Sequence, residues 1–289
     1  MIVMRLTDGL GNQLFQYAAA ATLRERTGAE IGFLVDAFDS TRARQDRPLL
    51  LPEVVDCRDQ LIRTRSARGI AALAVHRLLR PRKTTLRHIP SLCHFSTDAG
   101  CHPEYEQIRD HMIVSGFFQS WSCIAPGIGA VREAVHRRFG PRIAAAREAL
   151  ETRLPGTGRI VALHLRLGDY LKIGDGSEAI VPVERIRAAV GMLDSHARVI
   201  AFTDSPNMVD AIDFGRPMSR FDGGTAIDDF AAMTACDDFI IANSTFSWWA
   251  SALGANLAKR TWAPRDWQRP GRSGSDPDNP IYRPGEVRY

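Results

Sequence analysis

The sequence predicts an α/β fold of two Rossmann-like domains, and three observations predict it. Short apolar runs alternate with helical patterns along the chain, and strands alternating with helices imply parallel sheets. Ile160 to Leu165 is almost wholly apolar, as a central strand covered on both faces must be. Pro155-Gly156-Thr157-Gly158 is a turn, after which the alternation restarts. The expected domains are therefore residues 1–155 and 156–289.

In the first domain Ile2 to Leu6 reads as a buried strand, followed by a glycine turn and a helix from about Asn12 to Thr27. Glu30 to Val35 reads as the second strand, and Met112 to Phe118 as another. Pro126 to Leu154 is helical in pattern, with a break expected at Gly140-Pro141. In the second domain a helix follows from about Pro182 to Ser195, a strand from Val199 to Phe202, and a helix from Asp228 to Ala235. Phe239 to Ala242 is a strand, Phe246 to Leu257 a helix, and Thr261 to Ala263 a last strand. The tail after Arg265, rich in Pro, Gly and Arg, reads as irregular. Phe239 to Ala258 has no charge and the length of a membrane span. Its Asn243, Ser244, Thr245, Ser247, Ser251 and Asn256 make it too polar for hydrocarbon.

Composition narrows the class. Of 289 residues, 45% are hydrophobic and 24% charged, the balance of a globular protein. No leader pattern follows Met1, and the five cysteines are irregularly spaced. Reduced thiols and a cytoplasmic location are expected. Cys93-His94 and Cys101-His102 lack the short clasp of a zinc site. The net charge is +4, but nine Arg and Lys residues between Arg58 and Arg87 have Asp59 as their only acid. Within that segment Ile70, Leu73, Ala74 and Leu78 have helical spacing. This basic amphipathic helix is read as a solvated face, a contact with an anionic membrane surface, or an attractor of an anionic acceptor. No aromatic residues interleave with the arginines, so a nucleic-acid partner is not expected.

Three segments lie at strand ends, where α/β folds bind ligands. Asp8-Gly9-Leu10-Gly11-Asn12-Gln13 joins the first strand to the first helix, and its glycines let backbone approach a phosphate or sugar. A nicotinamide dehydrogenase would use a similar loop, with Asp36 for the ribose, but the third glycine of that fingerprint is Leu14 here. His164-Leu165-Arg166-Leu167-Gly168-Asp169-Tyr170 ends the most apolar strand. A buried arginine there needs an anion, unless Asp169 satisfies it. Asn243-Ser244-Thr245-Phe246-Ser247 puts hydroxyls just before a helix N-terminus. That is an anion seat, or a plain N-cap. Trp248 and Trp249 read as core.

Together these segments resemble the α-1,2-fucosyltransferases, glycosyltransferase family 11, with distant kinship to α-1,6- and protein O-fucosyltransferases. Gly9 to Tyr17 is similar to the family's N-terminal signature, and His164 to Tyr170 to its His-x-Arg-Arg-Gly-Asp-Tyr motif. Phe202-Thr203-Asp204-Ser205 resembles a third segment, and Ile240 to Trp249 the C-terminal signature. The resemblance implies a GT-B fold with the active site in the interdomain cleft. The acceptor would bind the N-terminal domain, and GDP-fucose, the donor, the C-terminal one. It implies metal-independent, inverting transfer of L-fucose, with the galactose 2-OH of a surface glycan, lipid-linked or free, as acceptor. By resemblance Arg166 holds the diphosphate, His164 lies near guanine and ribose, and Asp229 accepts bonds from guanine. Asp204 falls within the donor-binding set. Ser244, Thr245, Phe246 and Ser247 hold the β-phosphate, and Gly11 and Asn12 lie beside phosphate and sugar. The family's second arginine is Leu167 here.

The chemistry is consistent with those roles. Negative charge grows on the leaving phosphate as the glycosidic bond breaks. Arg166 and the helix start after Ser244 would stabilise it in place of a metal. The one Asp-x-Asp, Asp276-Pro277-Asp278, reads as a solvated turn in the tail. Asp169 and Glu178 are the candidate bases. Two other readings stand: a non-catalytic sugar-nucleotide-binding relative, and an NAD(P)-dependent oxidoreductase.

Overall fold

A computed structural model describes residues 1–39, 47–79, 88–89, 93–95, 103–166, 181–256, 258–267 and 281–289. The chain forms two compact units, Met1–Arg138 and Phe139–Tyr289. The division falls inside a helix, ahead of the turn at Pro155 to Gly158.

The first unit has strands β1 (Ile2–Arg5), β2 (Ile31–Leu34), β3 (Leu61–Ile62), β4 (His88–Ile89), β5 (Cys93–Phe95) and β6 (Ile113–Ser115). Their order is β3-β2-β1-β6-β5-β4, and only β4 and β5 pair antiparallel. Helix α1 (Leu10–Thr27) buries a face rich in Ala, Leu and Phe. It stops where Gly28 turns to φ 67°, and the Gly28 N–H closes on the Arg24 carbonyl at 2.9 Å. That left-handed C-cap suits glycine, which has no Cβ to clash. Helix α2 (Ala67–Leu79) is the amphipathic helix expected in the basic segment. Helix α3 (Ile128–Arg153) crosses from the first unit into the second.

The second unit has β7 (Ile160–Leu165), β8 (Arg198–Thr203), β9 (Ser219–Arg220), β10 (Asp238–Ile240), β11 (Thr261–Ala263) and β12 (Val287–Arg288). All five pairings are parallel, in the order β9-β8-β7-β10-β11-β12. This is the strand order of the nucleotide-binding Rossmann sheet, whose direction of winding reverses between the first and fourth strands. Here that switch point lies between β7 and β10. Helices α4 (Val183–Gly191), α5 (Ala226–Thr234) and α6 (Thr245–Leu253) accompany the sheet. Val161, Leu163 and Leu165 of β7 share one core cluster with Ile186, Ala189 and Val190 of α4. Two α/β sheets, one parallel throughout and one parallel except at β4 and β5, are the fold class expected from the alternation of strands and helices.

Three expectations need correction. Helix α3 runs through Gly140-Pro141 without a break. Pro141 forfeits one backbone bond, and the buried Val131, Val135, Phe139, Ile143 and Leu150 along the helix hold it. The tail is not wholly irregular, because β12 adds an edge strand and Tyr289 exchanges backbone bonds with Ala263 and Arg265. The thiols are not all reduced. Cys57 and Cys236 are free and buried, but Cys123 is disulfide-bonded. Spacing in sequence carries no information on how close two cysteines come in space. The side chains of the two Cys-His pairs also lie outside the described residues. Among the described residues no helix is long and apolar enough to cross a membrane. Phe239 to Ala258 divides into strand, loop and helix instead.

Candidate active site

The site in the second unit forms where the carboxyl ends of β7 and β10 part. Strand β7 delivers His164 and Arg166. In register with β8, His164 lies beside Phe202 and Leu165 beside Thr203, so Asp204 follows at the same end of the sheet. The His164 ring is half-buried, and its Nδ1 is enclosed without a hydrogen-bond partner. Burial, reinforced by the Arg166 charge and opposed by Asp204, lowers its pKa to about 4. His164 is therefore neutral near pH 7, with one ring nitrogen unsatisfied. An enclosed polar atom left unpaired costs about 1–3 kcal/mol, and a ligand atom bonded to it would recover that cost.

Strand β10 leads into the start of α6. Ser244 occupies the N-cap position, is 3% exposed, and makes no capping bond with its side chain. The first helical bond runs from the Trp248 N–H to the Ser244 carbonyl at 3.0 Å. The plain N-cap reading therefore does not describe this turn. Helix α5 shows the contrast: Thr225 accepts from the Asp228 N–H at 3.2 Å as an ordinary cap. Thr245 and Phe246 are partly exposed at the start of α6. Ser247 is fully buried, and its hydroxyl donates to the Ser244 carbonyl at 3.2 Å. Ser247 thus fastens the turn from beneath rather than presenting its oxygen at the surface.

An aromatic row supports this end of the site. Phe246 lies edge-on to Phe230 at 5.2 Å and 6.2 Å from the His164 ring, and Phe139 backs Phe230 at 6.1 Å. Trp248 and Trp249 are fully buried, as expected of core. Trp248 donates to the Ile281 carbonyl at 2.9 Å, and the Arg283 guanidinium stacks 4.8 Å above its ring.

The adjacent aspartates of α5 differ in chemistry. Asp228 is ion-paired with Arg142 at 2.6 Å and bonded by the Thr225 hydroxyl. Asp229 has no cationic partner among the described residues. Burial raises its carboxyl pKa, and a bond from the Gly223 N–H only partly offsets this. Gly223 is needed for that approach, since a Cβ there would sit 2.9 Å from Asp229 Oδ1 and 2.6 Å from Phe221 Cε1. Nothing in the sequence marks Gly223.

In the first unit, the loop before α1 is built by two glutamines. Gln13 is fully buried; its amide donates to the Asp8 and Pro48 carbonyls and accepts from the Leu50 and Leu51 N–H groups at 2.6–3.0 Å. Gln16 likewise accepts from the Thr7 N–H and donates to the Gly116 carbonyl, each at 3.0 Å. Much of the Gly9 to Gln16 signature is thus a clasp for neighbouring loops. Gly11 is buried behind it, and Asn12 accepts from Gln119 at 2.9 Å. Leu167, Asp169, Glu178, Asp276 and Asp278 lie outside the described residues.

Residues 138–269 match the family described as Glycosyl transferase family 11. The chain is 23% identical over 288 residues to the O-antigen biosynthesis glycosyltransferase WbnK of Escherichia coli, covering 91% of this chain and 93% of WbnK. Among solved structures it is similar to the fucosyltransferase NodZ from Bradyrhizobium, at 17% identity and a TM-score of 0.49, covering 86% of this chain and 92% of NodZ. It is also similar to POFUT1 in complex with GDP, at 12% identity and a TM-score of 0.48, covering 91% of this chain and 97% of POFUT1. The matched residues 138–269 contain the segments at His164, Phe202 and Ile240 that resemble motifs of that family, and the Gly9 segment lies outside the match.

Proposed function

We propose that the chain transfers L-fucose from GDP-fucose, with inversion, to a glycan hydroxyl, the 2-OH of galactose. The observation that carries this reading is the convergence of His164, Arg166 and the uncapped start of α6 at the switch point of a Rossmann sheet. A nucleoside diphosphate suits such a place. Arg166 and the N–H groups of Thr245 and Phe246 face the charge that develops on the departing β-phosphate. Asp204 lies at the same sheet end. Asp169 and Glu178 are the candidates for drawing the proton from the acceptor hydroxyl. A thermal-shift panel of GDP, UDP, ADP and NAD tests the donor class. Stabilisation by GDP alone supports the reading, and stabilisation by NAD alone overturns it in favour of an oxidoreductase. Slow GDP-fucose hydrolysis separates an enzyme from a binding relative.

Guanine recognition rests on Asp229. A carboxylate has two acceptor oxygens, and guanine presents two donors on one edge, its ring N1–H and exocyclic amine. Adenine offers an acceptor at the ring position instead. Asp229→Ala is expected to weaken GDP binding by about 1–3 kcal/mol, the scale for leaving polar partners unpaired, and to narrow the preference over ADP. Asp228→Ala changes binding little, because that carboxylate is engaged by Arg142 and Thr225. Calorimetric titration of both nucleotides into both variants decides the matter. Wild-type affinity in the Asp229 variant would remove the carboxylate from the base site.

Metal independence is tested with chelator. If Arg166 and the α6 terminus stabilise the leaving group, excess EDTA leaves transfer largely intact. Loss of activity restored by Mn²⁺ or Mg²⁺ would bring Asp276 and Asp278 into the mechanism.

A further inference from the structure

Helix α2 presents an apolar face to solvent. Ile70 is 59% exposed and Leu78 83% exposed. Ala67, Ala71 and Ala74 are exposed as well, so the outer positions recur at the 3.6-residue period of one helix face. The opposite face is anchored, with Ala72 and Val75 packing on Val3, Leu34, Ile62 and Ile113. Among the described residues only two other large hydrophobic side chains, Met192 and Val287, are comparably exposed, and each stands alone.

The rim of this face is basic. Arg63, Arg65 and Arg68 are all exposed, and from Gln60 to Leu79 the sequence has no acidic residue. The turn that carries them is held fast. The Ser66 N–H donates to the Arg63 carbonyl at 3.0 Å, and Ser66 Oγ accepts from the Gly69 N–H at 3.0 Å. Gly69 lets the helix lie against that carbonyl, since a Cβ would come within 1.9 Å of it. Arg65 and Arg68 sit at the N-terminal end of α2, whose first turn has no acid. Cations there oppose the helix dipole, so their placement does not serve the stability of the helix. An outward apolar stripe with cations at its edge is the pattern of a helix lying in a bilayer interface.

We propose that this face docks the first unit on an anionic membrane surface, with Ile70 and Leu78 entering the acyl boundary and Arg63, Arg65 and Arg68 against the headgroups. The charge argues for that occupant. A second copy of the chain would bring one arginine rim against another, and a nucleic acid would leave the apolar stripe unused.

The test uses the full chain and sedimentation with vesicles of phosphatidylglycerol and phosphatidylcholine, or of phosphatidylcholine alone. The wild type is expected to bind the anionic vesicles, more weakly as salt rises, and to leave the neutral ones. The Ile70→Ser/Leu78→Ser and Arg65→Glu/Arg68→Glu variants are each expected to reduce binding roughly ten-fold or more. Their melting temperatures stay near that of the wild type, because the altered side chains are exposed. Variants that bind like the wild type, or no preference for anionic lipid, overturn the proposal. So does light scattering that shows a wild-type dimer broken by Ile70→Ser/Leu78→Ser. Transfer to a water-soluble acceptor stays unchanged in the variants, so failure here is distinguishable from failure of the proposed activity.

Discussion

Arg166→Ala is expected to lower turnover by about 10²-fold or more, the scale of removing one preorganised charge stabiliser. The arginine follows the last residue of β7, at the point where the sheet reverses its winding. Its field reaches the site, because it helps to depress the pKa of His164. A bound diphosphate would meet that field together with the N–H groups of α6. The benefit grows as charge moves onto the leaving phosphate, so the loss belongs mainly in kcat and not in donor affinity. Arg166→Lys is expected to rescue little, since a point charge cannot hold two phosphate oxygens in a fork. The measurement is steady-state transfer from GDP-fucose with donor varied. Near-normal kcat in the alanine variant removes Arg166 from the chemistry.

Sequence and structure agree where the signal is local. The apolar run of β7 and the period of α1 predict their elements because one residue pattern suffices to bury a strand or a helix face. The segments containing His164, Arg166 and Ser244 were legible for the same reason: each lies at a strand end that the pattern locates. What stayed hidden depends on partners distant in sequence. Gln13 reads as part of a ligand loop, but its amide is spent on Pro48, Leu50 and Leu51. Ser247 reads as a phosphate ligand, but one helical turn carries its hydroxyl beneath the backbone. Asp228 and Asp229 are adjacent and alike in sequence, and partners including Arg142, 86 residues from Asp228, tell them apart. Strand β12 follows a tail rich in turn-forming residues, and a two-residue edge strand is too short for any period to register.

The structural counterpart of Arg166 is Asp238, at the opposite end of the same sheet. It begins β10 and is fully buried. Arg159, just before β7, grips it through Nε at 2.6 Å and Nη2 at 2.7 Å. Arg260, just before β11, adds its backbone N–H at 2.6 Å and Nη2 at 3.2 Å. One carboxylate thereby pins the amino ends of three neighbouring strands. Burial alone would raise its pKa, but the bonds from Arg159 and Arg260 outweigh burial and hold it below the ordinary value. Asp238→Ala leaves a guanidinium without its buried partner, and breaking such a pair costs about 3–5 kcal/mol. For a unit of this size that corresponds to a melting temperature lower by roughly 10 °C. The pH dependence has a definite sign. A depressed carboxyl pKa stabilises the fold above the unfolded value of about 3.9, and the benefit fades as pH falls through the folded value. The wild type should therefore lose stability on acidification through that window more steeply than Asp238→Ala. Because the triad lies at the amino ends of the strands and His164 and Ser244 at the carboxyl ends, the folded fraction of Asp238→Ala should keep its GDP affinity. Thermal melts from pH 3 to 7, paired with GDP titration at a temperature where the variant is folded, check both halves. A wild-type melting temperature in the alanine variant would show that the triad does not hold the sheet.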